Sequence, residues 1–118
     1  ELSKDYLELT LNLKTIKEVF YADCPDELIE LAKKEITAEP SSVNNTQVHL
    51  NNPAYADIPK VYISCLQDKV IPPQLQKIMY EATPCKKIYT LPSSHSPFFS
   101  MPDKVTAILQ EINSLEFT

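Results

Sequence analysis

None of the 118 positions in this chain is a glycine. Average usage of about 7% would place about eight in a chain of this length. Glycine is the residue that adopts positive φ without steric penalty, so its absence removes the backbone devices that depend on it. The phosphate-cradling P-loop, the GxGxxG dinucleotide turn and the EF-hand loop all require glycine at fixed positions. The GxSxG elbow, which presents a serine nucleophile on a sharp strand-to-helix turn, is excluded for the same reason.

The rest of the composition narrows the class further. A chain of 118 residues with 43% hydrophobic and 23% charged content fits one globular domain at most. The net charge of −5 and the lack of any Lys/Arg cluster argue against a nucleic-acid partner. No run approaches the ~20 apolar residues of a membrane helix, so no membrane partner is expected. Glu1 to Tyr6 has neither the basic nor the apolar region of a signal peptide. With no initiator Met, the chain reads as trimmed or as a fragment. Cys24, Cys65 and Cys85 are odd in number and form no CxxC pair. They are expected to be free or buried thiols in a reducing, cytoplasmic setting, with no metal and no cofactor.

Periodicity divides the chain into two halves. Residues 6–11 alternate as a short strand would. Lys14 to Ala22 reads as a helix with Ile16, Val19 and Phe20 on one face. A second helix starts at Pro25, with Leu28, Leu31, Ala32 and Ile36 as its apolar stripe. Residues 40–59, punctuated by Pro40, Pro53 and Pro59, read as a loop. Lys60 to Leu66 is a β-branched apolar run, the mark of a buried parallel strand. Pro72 to Ala82 predicts a helix with Leu75, Ile78 and Met79 inward. Lys86 to Leu91 predicts a second strand. A last helix is capped by Ser100 and buries Val105, Ile108, Leu109 and Ile112. Strand–helix–strand–helix makes two parallel strands, and two strands alone cannot cover both faces and both edges of a parallel sheet. This half should need strands from elsewhere.

Two residues stand out chemically. Asp68 lies just past the first of these strands and His95 just past the second. In a parallel sheet both loops open on the same edge, where open α/β sheets place their sites. Adjacent strands run ~4.8 Å apart, so the two side chains can meet. A carboxylate there would accept the imidazole Nδ1–H and turn Nε2 toward a nucleophile. On spacing alone this stays open, because an aspartate after a strand commonly serves a turn and a loop histidine commonly faces water. His49, in a polar loop with no positioned partner, is assigned no role.

The segment Val61-Tyr-Ile-Ser-Cys-Leu-Gln-Asp68-Lys-Val-Ile-Pro72 resembles the acid-bearing strand of the α/β-hydrolase subgroup that contains plant methylesterases and hydroxynitrile lyases, with their bacterial relatives. Ser94-His95-Ser96-Pro97-Phe98-Phe99-Ser100, followed by Pro102, resembles the histidine loop of the bacterial members. Phe20-Tyr21-Ala22-Asp23-Cys24-Pro25 resembles a lid helix. The resemblance spans about residues 10–115. It implies an α/β fold equivalent to the C-terminal portion of a hydrolase, with residues 1–50 as a mostly helical lid and 51–118 as the end of the core. It implies that Asp68 is the catalytic acid and His95 the base, and that the substrate is a small-molecule ester. Ser96 and Phe98 flank the base as substrate contacts, although Phe98 and Phe99 could equally pack the last helix. The departure is that no nucleophile elbow is present. None of the nine serines replaces it, since Ser64 lies within a strand and Ser93, Ser94, Ser96 and Ser100 crowd the histidine. The implied partner is an N-terminal piece of the same hydrolase carrying the serine. A non-catalytic interaction subunit, or a lyase on the same scaffold, is the alternative.

Overall fold

The computed structural model describes Glu1 and residues 3–115. In the first half, β1 (Glu8–Leu9), α1 (Ile16–Phe20), α2 (Asp26–Glu35), β2 (Glu39–Pro40) and α3 (Ser42–Asn45) follow one another, and a 3-10 turn at Pro53–Tyr55 leads onward. The second half is β3 (Val61–Cys65), α4 (Pro73–Ala82), β4 (Lys87–Leu91), α5 (Pro97–Ser100) and α6 (Pro102–Ser114). β3 and β4 pair in parallel, Val61 opposite Lys87 and Cys65 opposite Leu91. β1 and β2 form a separate two-residue antiparallel pair.

The strand–helix–strand–helix order expected from residue 60 onward is present, with boundaries shifted by a residue or so and with one unexpected short helix, α5, between β4 and the last helix. α4 covers one face of the sheet, where the Tyr62 and Tyr80 rings lie 5.3 Å apart. α6 covers the other, where Glu111 pairs with Lys87 and Lys87 lies over the Tyr89 ring. Helices on both faces are what parallel strands require.

Several expectations are corrected. The strand expected over 6–11 is only two residues long. Residues 40–59 are not all loop, since they hold the end of β2, α3 and the 3-10 turn. Asn52 caps that turn, accepting the Ala54 N–H at 3.0 Å. On α2, Ile29 and Ala32 are buried while Leu31 is exposed; Leu31 lies about 200° round the helix from Ile29. Met101, without a side-chain bond, occupies the cap position of α6 in place of Ser100. Leu109 of that helix is exposed. On α4, Leu75, Ile78 and Met79 are 46%, 62% and 43% exposed rather than inward. The reason is geometric: two strands ~4.8 Å apart make a surface no wider than a helix about 10 Å across, so the apolar stripes overhang it.

The same shortage shows in the whole chain. Its radius of gyration is 16.7 Å, against about 13.5 Å for a compact domain of this length. Its accessible surface is 8742 Å², against about 6,500 Å² for a folded monomer of this mass. Among the described residues, no further strand pairs with either outer edge of β3–β4.

The residue that α4 buries is polar. Gln76 is 2% exposed. Its Oε1 accepts the Cys65 N–H at 2.9 Å, and its Nε2 donates to the Cys65 carbonyl at 2.9 Å and the Ile71 carbonyl at 2.7 Å. The side-chain amide thus stands in for a neighbouring peptide at the carboxyl end of β3 and ties off the turn that follows. Buried backbone groups left unpaired cost about 1–3 kcal/mol each, not additively. Gln76→Leu should therefore lower stability by about 2–4 kcal/mol in urea denaturation and speed hydrogen exchange at the Cys65 amide. An unchanged midpoint with a still-protected amide would show that Gln76 does not hold this turn.

Candidate active site

The parallel ladder does not stop where β3 and β4 end. The Leu66 N–H donates to the Leu91 carbonyl and the Gln67 N–H to the Ser93 carbonyl, each at 2.9 Å. These bonds zip the two post-strand loops together and bring residues 27 apart in sequence into contact. His95 Nδ1 lies 2.9 Å from Asp68 Oδ2.

Asp68 is 7% exposed, and its second oxygen is also occupied. Oδ1 accepts the Val70 N–H at 2.8 Å and the Ile71 N–H at 3.0 Å. This is an Asx-type turn, in which the side chain organises the chain two and three residues on. One oxygen of this carboxylate thus organises the turn while the other meets the imidazole. A carboxylate only accepts, so the pair places the proton on Nδ1 and leaves Nε2 of the neutral ring as an acceptor. Among the described residues Nε2 has no hydrogen-bond partner. His95 is half-buried, with the Phe20 ring standing edge-on to it at 5.3 Å between centroids and 84° between planes.

Phe20 and Val70 also line a cavity of about 550 Å³, together with Leu9, Leu11 and Ile36. The hollow, which Glu1, Glu39 and Asn44 also border, thus shares a wall with the imidazole through Phe20 and with the Asp68 loop through Val70.

Of the other residues singled out from sequence, Ser96 is buried, and its carbonyl accepts the Phe99 and Ser100 N–H groups at 3.0 and 3.2 Å as α5 begins. Phe98 is exposed and its ring packs on Phe99 at 4.9 Å. His49 is exposed. Ser64, Ser93, Ser94 and Ser96 are buried. Cys24, Cys65 and Cys85 are free thiols.

Sequence reasoning missed Asp23. Its Oδ2 accepts the Ser94 N–H at 3.0 Å and its Oδ1 accepts the Ser94 hydroxyl. Partial burial by itself would raise the Asp23 pKa, but the bonds from Ser94, with help from the Ser100 hydroxyl, outweigh it and hold the carboxyl below the usual range. The available signal was only that an aspartate lay inside a lid-like segment. Its partner is 71 residues away, and no local pattern encodes that pairing.

No family model matches the chain. It is 29% identical over 103 residues to putative methylesterase 13, chloroplastic, of Arabidopsis thaliana, a match covering 86% of this chain and 23% of that protein. It is 31% identical over 100 residues to a pyrethroid hydrolase of Sphingobium wenxiniae, covering 84% of this chain and 35% of that one. The crystal structure of the methylesterase MES16 from Arabidopsis superposes with a TM-score of 0.85 at 26% identity, over 92% of this chain and 47% of that one. The chain therefore spans less than half the length of each.

Two outcomes follow from the charges around this site. The folded Asp23 pKa lies below its unfolded value near 3.8. Its contribution to stability is then complete above that value and is lost as pH falls through the lower folded one. Melting temperature measured against pH should drop more steeply below about pH 4 in the parent than in Asp23→Asn; parallel curves would contradict this. Burial, and then the Asp23 charge, push the Cys24 thiol up to about 11. Alkylation near neutral pH should accordingly modify the half-exposed Cys85 well before Cys24, as peptide mapping by mass spectrometry would read.

Proposed function

We propose that this chain, which has the α/β-hydrolase fold and is similar in sequence to methylesterases and a pyrethroid hydrolase, supplies the acid and base of a carboxylester hydrolase whose nucleophilic serine lies outside these 118 residues. The observation that carries the reading is the 2.9 Å contact between Asp68 and His95 Nδ1, with Nε2 left to accept a proton.

The chemistry follows from that arrangement. His95 Nε2 takes the proton of the serine hydroxyl as its oxygen attacks the ester carbonyl. Asp68 holds the ring in the needed tautomer and stabilises the imidazolium that forms. His95 then returns the proton to the departing alcohol, completing the acyl-enzyme. Water, deprotonated by the same nitrogen, attacks the acyl group, and the acid leaves. Backbone N–H groups of the serine-bearing piece would stabilise the oxyanion, a contribution of about 3–4 kcal/mol. Residues 1–50 act as the lid over an apolar ester, whose acyl or alcohol part occupies the hollow beside Phe20 and Val70. Of the two residues expected to flank the base, Ser96 is buried and Phe98 is exposed, so Phe98 is the one proposed to touch substrate.

The serine-bearing piece is the proposed partner. The strand-free outer edges of β3 and β4, the exposed stripe of α4 and the surplus of about 2,000 Å² of surface over a compact monomer support a large obligate contact.

In the assembled enzyme, His95→Ala should reduce kcat for a p-nitrophenyl ester by about a thousandfold or more, and Asp68→Asn by a comparable factor through the wrong tautomer. A loss under about tenfold for either would remove that residue from the mechanism. A serine-directed phosphonate should label a serine outside residues 1–118; a label within residues 1–118 would overturn this reading.

A further inference from the structure

A short stretch of the first half grips the histidine loop. Phe20 stands edge-on to the His95 ring at 5.3 Å, and the Tyr21 ring lies 5.8 Å from that of Phe99. Asp23 takes both the N–H and the hydroxyl of Ser94. The Cys24 thiol points at the Ser96 carbonyl at 3.9 Å. Of residues 20–24, only Ala22 is not seen in such a contact with residues 94–99. Within the stretch, Asp23 is the sole charged residue, and it alone makes a two-pronged bond.

We propose that Asp23 is a positioning residue for His95, setting the direction of the imidazole and fixing the adjoining wall of the substrate hollow at the same time. The inference rests on the hydrolase reading. Ser94 is 1% exposed, so its N–H and hydroxyl cannot turn to bulk water, and a carboxylate is the strongest acceptor for both. Binding them fixes the 93–94 peptide, one residue before His95; the carbonyl of that peptide also accepts the Gln67 N–H. The 96–97 peptide, one residue after His95, is fixed by α5, where the Ser96 carbonyl accepts two N–H groups. His95 is thereby held between two anchored peptides, and its Nδ1 is kept on Asp68.

Asp23 lies three residues past the end of α1, so the same bond helps hold Phe20, the last residue of that helix, against the imidazole and along the hollow. The base and the pocket wall are set by one contact. Reacting groups must be placed to within a fraction of an ångström, and misplacement by about 1 Å can cost about a hundredfold in rate.

The test uses the assembled enzyme. Asp23→Asn keeps one acceptor and nearly the same shape. It should lower kcat by about 10–100-fold while KM changes less than about threefold. The low-field Nδ1–H proton signal of His95 should broaden or vanish. Ser94→Ala, which keeps the backbone bond, should show a smaller loss of the same kind. Asp23→Asn combined with Ser94→Ala should be no worse than Asp23→Asn alone, because both act through one contact. A kcat within about threefold of the parent with an intact Nδ1–H signal would overturn the proposal. So would a loss confined to melting temperature, or full additivity in the double variant. His95→Ala is measured alongside. If it leaves turnover intact, the hydrolase reading fails, while the Nδ1–H signal still decides whether Asp23 positions the ring.

Discussion

Everything at this site depends on the parallel pairing of β3 with β4 and its continuation into the loops beyond them. Because the strands run the same way, both carboxyl ends emerge on one edge. Because Leu66 and Gln67 go on donating to Leu91 and Ser93, the loops stay in register after the strands end. Asp68 and His95 then meet without either reaching far. An antiparallel pairing would have sent the two residues to opposite edges of the sheet.

A chain without glycine must build its tight turns by other means. Among the described residues only Tyr6 has a clearly positive φ, at 62°. The turns around the site are held instead by side chains that replace backbone partners. Asp68 Oδ1 organises residues 70 and 71, Gln76 ties Cys65 to Ile71, and Asp23 holds Ser94. Each of these polar groups is partly or wholly buried, and each is satisfied by more than one bond. In such surroundings a fully paired polar network fixes a single geometry, whereas a half-paired one would be costly. The acid loop and the base loop are each braced in this way, one from α4 and one from the segment after α1.

Bracing of the loops contrasts with the open state of the sheet. β3 and β4 present strand-free outer edges, and α4 shows Leu75, Ile78 and Met79 to the outside. The relatives are two to four times longer than the matched region. Asp68 and His95 are braced on both loops, whereas the sheet and the apolar face of α4 beside them are uncovered. The proposed serine-bearing piece would cover that surface.

Much of this could be read from the residues themselves. The β-branched run ending at Cys65, the strand ending at Leu91 and the intervening helix follow from period and propensity, which act over a few residues. Topology then puts Asp68 and His95 on one edge, and the segments around them carry the resemblance to hydrolases. The burial of α2, α4 and α6 did not follow, because which side of an amphipathic helix is covered depends on how much sheet lies beneath it. Gln76 as a core residue and Asp23 as the clamp on the histidine loop were invisible for a related reason. A hydrogen bond spanning 11 or 71 residues leaves no periodic trace in the sequence. By itself the sequence determined the two parallel strands, the helices that follow them and the identity of the two catalytic candidates, since these come from local pattern. Only the tertiary structure decided how those two are aimed, since that is set by bonds between segments that meet only once the chain is folded.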